Sequence, residues 1–103
     1  MFWQARNELS GVSEGATRSV EIVNKRGLHA RASAKFVKLA SGFDAEVRVH
    51  KDGQTVDARS IMGLMMLAAG PGCCIDIEAE GAEAEAAVVA LQELVAGKFE
   101  EEE

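Results

Sequence analysis

Strict alternation of apolar and polar residues in two segments restricts the folds open to this chain more than any other feature. In residues 44–50, "DAEVRVH", the apolar positions are Ala45, Val47 and Val49, and "CCIDIEAE" at residues 73–80 repeats the pattern. Successive side chains of a β-strand point to opposite faces, so each segment has one apolar and one polar face. The pattern predicts a sheet that helices cover on one side only.

Two further strands complete the predicted sheet. Val20 and Ile22 alternate with polar neighbours in "SVEIV". Asp52-Gly53 is a dipeptide suited to the two positive φ angles of a tight hairpin, so residues 54–58 are predicted to run back antiparallel to residues 44–50.

Three segments have helical periodicity. The first covers residues 30–41, with a basic face and Gly42 as its stop; Ser60 is placed to cap a second over residues 61–68, and the third begins after Gly81. The predicted order is therefore β-α-β-β-α-β-α. This order predicts a two-layer, open-faced α/β sandwich of the α+β type, in which three helices cover one face of a four-stranded antiparallel sheet.

The length of 103 residues allows one domain with one core. Residues 1–17 mix charge, Gly and Ser without a period and are predicted to be a flexible extension. The domain is predicted to cover residues 18–98 and residues 99–103 to form an acidic tail, in which residues 100–103 are frayed.

The net charge of −6 argues against a nucleic-acid partner, which needs a basic surface. No signal peptide or membrane anchor is recognised, so the expected location is the cytoplasm, without membrane insertion. The adjacent Cys73 and Cys74 do not suggest a disulfide scaffold. No metal-ligand spacing occurs among His29, His50 and these cysteines, and no metal or cofactor is expected; His50 is predicted to be merely solvated.

His29 lies where the loop "NKRGL" meets the first helix. Unpaired backbone N–H groups at the start of a helix, here those of Ala30 and Arg31, and the positive end of the helix dipole form an anion site. The same field disfavours a charged imidazole and so favours a neutral, nucleophilic ring, while the Arg31 guanidinium suits phosphate oxygens. The alternative is that His29 is only a cap or a packed edge residue.

"GLHARASAKFVKLA", followed by "SIMGLMMLAAGPG" and "IDIEAEG", resembles the histidine-containing phosphocarrier (HPr) family of the bacterial phosphotransferase system. The resemblance covers residues 18–98 and implies a sheet order of 1-4-2-3. It implies that His29 receives a phosphoryl group on Nδ1 from phosphorylated enzyme I, assisted by Arg31, and passes it to enzyme IIA domains. Two residues depart from the family pattern: Ala32 replaces a common proline, and Arg26 a small polar residue.

Ser60 has two compatible interpretations, as a structural N-cap and, by the resemblance, as the target of a regulatory HPr kinase/phosphorylase. The helix after it is apolar nearly all round, so part of its surface is expected to be exposed rather than overpacked in the core. In the family the residues that match Ile61, Met62 and Met65 form a patch that partners contact.

Three functions are therefore considered. The first is a phosphoryl carrier, a covalent intermediate in the reactions of other proteins rather than a complete enzyme. The second is a regulatory interaction module controlled by Ser60 phosphorylation, with little transfer activity. The third, a small phosphatase, lacks a convincing general acid or water-positioning partner for His29.

Overall fold

The computed structural model describes residues 15–101, which contain one antiparallel sheet of four strands. The strands are β1 (Gly15–Glu21), β2 (Glu46–Lys51), β3 (Gln54–Asp57) and β4 (Cys74–Glu80). Their order across the sheet is β1-β4-β2-β3, with Val20 opposite Ile75 and Val49 opposite Ile77. The predicted fold class and strand order are confirmed.

Three helices pack against the apolar face of this sheet. They are α1 (Ala30–Ala40), α2 (Ile61–Met66) and α3 (Ala84–Ala96), and a short helical turn, Lys98–Glu100, follows α3. α3 lies against β1 and β4, while α1 contacts both α2 and α3. The elements follow one another in the predicted order, β-α-β-β-α-β-α, and the helices leave the opposite face of the sheet open.

The alternation seen in the sequence matches the burial of the strands. Val47 and Val49 of β2 and Ile75, Ile77 and Ala79 of β4 are buried, whereas their polar neighbours are exposed or half-buried. Helix side chains complete the core, including Phe36, Leu64, Val88 and Leu91. Burying each large aliphatic or aromatic side chain stabilises the fold by about 1.5–3 kcal/mol.

The predicted hairpin joins β2 to β3. Asp52 has a φ of 52° and Gly53 a φ of 82°, so both central residues are left-handed. That combination gives the turn a twist that matches its two strands, which pair from Lys51–Gln54 to Arg48–Asp57.

The first strand begins earlier than predicted. Gly15, Ala16 and Thr17 belong to the predicted extension, but they pair with residues 80, 79 and 78 of β4. Backbone hydrogen bonds hold these residues in the sheet, and such bonds form whether or not the side chains alternate between apolar and polar. The rest of the predicted extension, residues 1–14, lies outside the described residues.

The prediction that residues 99–103 form an acidic tail outside the domain is wrong for residues 99–101. Phe99 is fully buried in the core, and the Nζ of Lys35 on α1 donates a hydrogen bond to its carbonyl oxygen at 2.7 Å. Lys98, Phe99 and Glu100 all have positive φ angles, of 60°, 56° and 65°. This left-handed turn is unfavourable for L-residues, and the burial of Phe99 offsets part of its cost. Residues 102 and 103 lie outside the described residues.

Replacing Phe99 with alanine tests this anchor. We expect Phe99→Ala to lower the free energy of unfolding by about 3 kcal/mol, because it removes a fully buried ring. Urea denaturation followed by circular dichroism measures the change. Glu100→Ala is the control, since the Glu100 side chain is 79% exposed, and equal stability of the two variants would contradict the anchoring role.

Candidate functional site

A close backbone contact positions the loop before α1. Gly27 has a φ of 64°, and a Cβ atom on it would lie 2.4 Å from the carbonyl oxygen of Ala69. Only glycine fits there. The N–H of Leu28 donates to the same carbonyl oxygen at 2.9 Å, and the Leu28 side chain is buried. The loop is thus held against the segment that follows α2, and His29 comes next.

His29 lies at the start of the helix, where it was expected, and it is the N-cap of α1. Its Nδ1 accepts a hydrogen bond from the backbone N–H of Arg31 at 3.2 Å, and its side chain is 23% exposed. The nitrogen that accepts this bond must carry a lone pair. Nδ1 is therefore an unprotonated nitrogen at the positive end of the helix.

The other ring nitrogen contacts the end of the described chain. Nε2 of His29 lies 2.5 Å from Oε2 of Glu101. Nδ2 of the buried Asn24 donates to the other oxygen of that carboxylate, Oε1, at 3.1 Å, and to the carbonyl oxygen of Gly27 at 2.9 Å. Asn24, Glu101 and His29 therefore form one hydrogen-bonded network.

This network decides the ionisation of Glu101. Burial by itself would raise the pKa of its carboxyl group, but hydrogen bonds from His29 and Asn24 outweigh the burial and hold the pKa below its usual range. The positive charge of Arg26 acts in the same direction. Glu101 is thus a carboxylate with both oxygens engaged at neutral pH.

Arg31 contributes its backbone to the ring contact, while its side chain is exposed to solvent at the first turn of α1. Ala30, the other residue predicted to offer a backbone donor, opens the helix and is also exposed. Ala32, which replaces the proline common in the family, is fully buried within α1. The helix start therefore forms without that proline.

Ser60 is the N-cap of α2, and its Oγ accepts a hydrogen bond from the N–H of Gly63 at 2.9 Å. The predicted exposed surface follows it: Ile61 is 41% exposed, Met62 72% and Met65 43%. Met66, which was not among the residues predicted to form this surface, is 72% exposed. These four residues are called the α2 patch below.

The α2 patch reaches the histidine through a shallow cleft of about 280 Å³. Met65 lines this cleft together with His29, Arg26 and Leu28. A partner that contacts the patch therefore lies close to the ring.

The sequence pattern does not predict two residues of the network. Glu101 lies in a run of glutamates that resembles a solvated tail, and Asn24 resembles an ordinary loop residue. The available signal is Phe99, a large apolar residue directly before that acidic run, which indicates that this segment packs on the domain.

His50 also differs from its prediction, because its ring is not simply solvated. It bonds to Oγ1 of Thr55 and to Oε1 of Glu78, each at 2.7 Å, on the open face of the sheet away from His29. Hydrogen bonds from His50 and Arg48 lower the pKa of Glu78.

Within residues 15–101 no cluster of histidine, cysteine, aspartate or glutamate side chains is arranged to hold a metal ion. None of the helices in that part of the chain is long and apolar enough to cross a membrane.

Comparison with known proteins gives one consistent match. Residues 16–97 match the model of the family described as "PTS HPr component phosphorylation site". The phosphocarrier protein HPr of Neisseria meningitidis serogroup A is 52% identical over 86 residues, which cover 84% of this chain and 97% of that protein. The corresponding protein of Cupriavidus necator is 49% identical, with the same coverage.

A solved structure agrees with the sequence matches. The crystal structure of HPr-C-His from Thermoanaerobacter tengcongensis has a TM-score of 0.81 and 44% sequence identity, and the match covers 85% of this chain and 99% of that one. Motifs, strand order and comparisons all agree, and the chain belongs to the HPr family of phosphocarrier proteins of the phosphotransferase system.

Proposed function

We propose that His29 accepts a phosphoryl group on Nδ1 from phosphorylated enzyme I and passes it to an enzyme IIA domain. The observation that carries the proposal is the position of Nδ1. It is an unprotonated nitrogen at the N-terminus of α1, within hydrogen-bond distance of the Arg31 N–H. A helix N-terminus stabilises the negative charge of a phosphoryl group.

The helix start supports both states of the ring. In the free protein the Arg31 N–H donates to the Nδ1 lone pair. Once that lone pair forms the N–P bond, the same N–H is released and can donate to a phosphoryl oxygen. The exposed guanidinium of Arg31 is within the same turn and adds charge-assisted donors for that group.

Docking is proposed to use the α2 patch. The patch presents flexible methionine side chains beside the cleft that leads to His29. Ser60 caps the helix that presents them, so phosphorylation of Ser60 by an HPr kinase/phosphorylase would place about −1.5 to −2 charges beside an apolar contact. Such a charge must be desolvated or repelled when a partner covers it, and docking weakens.

Removing the histidine tests the acceptor. We expect His29→Ala to abolish labelling by enzyme I and radiolabelled phosphoenolpyruvate, because no other residue at the helix start supplies a ring nitrogen. His50→Ala is the matched control and keeps the wild-type rate, since His50 lies on the open face of the sheet. Labelling of His29→Ala at the wild-type rate contradicts the assignment.

Replacing Arg31 tests the side chain separately from the backbone. We expect Arg31→Ala to slow phosphoryl transfer about tenfold or more, the worth of a hydrogen bond to a charged group. The melting temperature is expected to stay within a few degrees, because an exposed arginine contributes little to stability. The rates are measured by rapid quench. Equal rates for Arg31→Ala and wild type would show that the guanidinium takes no part in the transfer.

Charge placed in the α2 patch tests docking. We expect Met62→Glu and Ser60→Asp both to weaken the binding of enzyme I in titration calorimetry, with circular dichroism close to wild type. Ala86→Glu, which puts the same charge on an exposed position of α3, is the control. Wild-type affinity in both test variants would disprove docking at the patch. In a purely regulatory module, by contrast, Ser60→Asp would change the binding of a partner, but enzyme I would not label His29.

A further inference from the structure

We propose that Glu101, held by Asn24, is a positioning residue that keeps the neutral His29 ring in the tautomer with its proton on Nε2 and its lone pair on Nδ1. The inference rests on the function proposed for His29 and adds to it a residue from the C-terminal end of the described chain. It explains how the nucleophilic nitrogen is selected.

The two nitrogens of the ring meet opposite partners. Nδ1 faces the Arg31 backbone N–H, which can only donate, so this nitrogen needs its lone pair. Nε2 faces a carboxylate oxygen of Glu101, which can only accept, so this nitrogen carries the proton. Each contact alone favours the same tautomer, and a carboxylate behind a histidine is a common means of orienting the ring.

Asn24 explains why the second partner is a carboxylate. Its Nδ2 already donates to the Gly27 carbonyl oxygen, and the same group donates to Glu101. If the amide were rotated by 180°, Oδ1 of Asn24 would face the Gly27 carbonyl oxygen and the Glu101 carboxylate oxygen, and all three atoms are acceptors. Oδ1 of Asn24 is buried and lacks a hydrogen-bond partner among the described residues, which costs stability. The observed orientation of the Asn24 amide therefore keeps both bonds that Nδ2 donates, although Oδ1 is left without a partner among the described residues.

Glu101 is thus enclosed by two donors, Nδ2 of Asn24 and Nε2–H of His29. A carboxylate supplies an acceptor to each of them. A glutamine of the same shape has one acceptor oxygen and one donor NH₂ group, so one of the two contacts would become donor against donor. In one of its two orientations the NH₂ group would face Nε2 and draw the proton from there to Nδ1.

The fixed tautomer simplifies the transfer. The Nδ1 lone pair forms the N–P bond while the bond from phosphorus to the phosphorylated residue of the donor breaks, and the donor keeps that electron pair. The ring then holds the phosphoryl group on Nδ1 and the proton on Nε2, and its positive charge faces the Glu101 carboxylate. When an acceptor attacks phosphorus, the N–P electron pair returns to Nδ1. No proton moves on the ring in either direction.

The test compares two neighbouring glutamates. Glu101→Gln removes one acceptor from the network, whereas Glu100→Gln removes the same charge one residue earlier, from a side chain that is 79% exposed and lies 3.8 Å from Lys35. The first readout is the pair of ¹⁵N chemical shifts of the unphosphorylated His29 ring, measured where the ring is neutral. The second is the rate of phosphorylation by enzyme I.

In wild type and Glu100→Gln we expect the shifts of a protonated Nε2 and an unprotonated Nδ1. In Glu101→Gln we expect both shifts to move toward a mixture of tautomers, and phosphorylation to slow about threefold to tenfold, the worth of one hydrogen bond. Wild-type shifts or a wild-type rate in Glu101→Gln would overturn the proposal. The chemical shifts are measured without enzyme I, so they decide the tautomer independently of the transfer reaction. If enzyme I fails to label His29 in the wild-type protein, the proposed function is refuted, but the test of the tautomer still stands.

Discussion

The contact between Gly27 and Ala69 is the constraint on which the site depends. It brings two backbones closer than any side chain would allow, and it joins the loop before α1 to the segment after α2. Because the loop is held there, His29 emerges at the start of α1 beside Met65. His29 and the α2 patch are thus parts of one surface, although about thirty residues separate them in the chain.

Most of the fold could be predicted because its signals are local. Alternation identified the buried faces of β2 and β4, Asp52-Gly53 identified the hairpin, and Ser60 identified the start of α2. The position of His29 followed from the same reasoning. The order of the strands did not, since pairing between distant segments depends on the whole set of elements; the family resemblance supplied it.

The misplaced boundaries have a different physical origin. Gly15, Ala16 and Thr17 are held by backbone pairing, which leaves no mark on the side-chain pattern. The packing of residues 99–101 could not be predicted because three consecutive left-handed residues have no counterpart in helical or strand periodicity. The network of Asn24, Glu101 and His29 joins residues 77 and 72 positions apart, and composition alone offered no reason to connect them.

The left-handed turn after α3 gives residues 99–101 a defined register. Phe99 is fixed in the core, and Glu101 reaches the ring two residues later. One inserted or deleted residue between them would shift the carboxylate by about 3.5 Å, the rise of one extended residue and more than a hydrogen bond tolerates. Chain ends usually accept changes in length at little cost. Here the two-residue spacing between Phe99 and Glu101 fixes the position of the carboxylate, so we expect insertions and deletions to be tolerated only after Glu101.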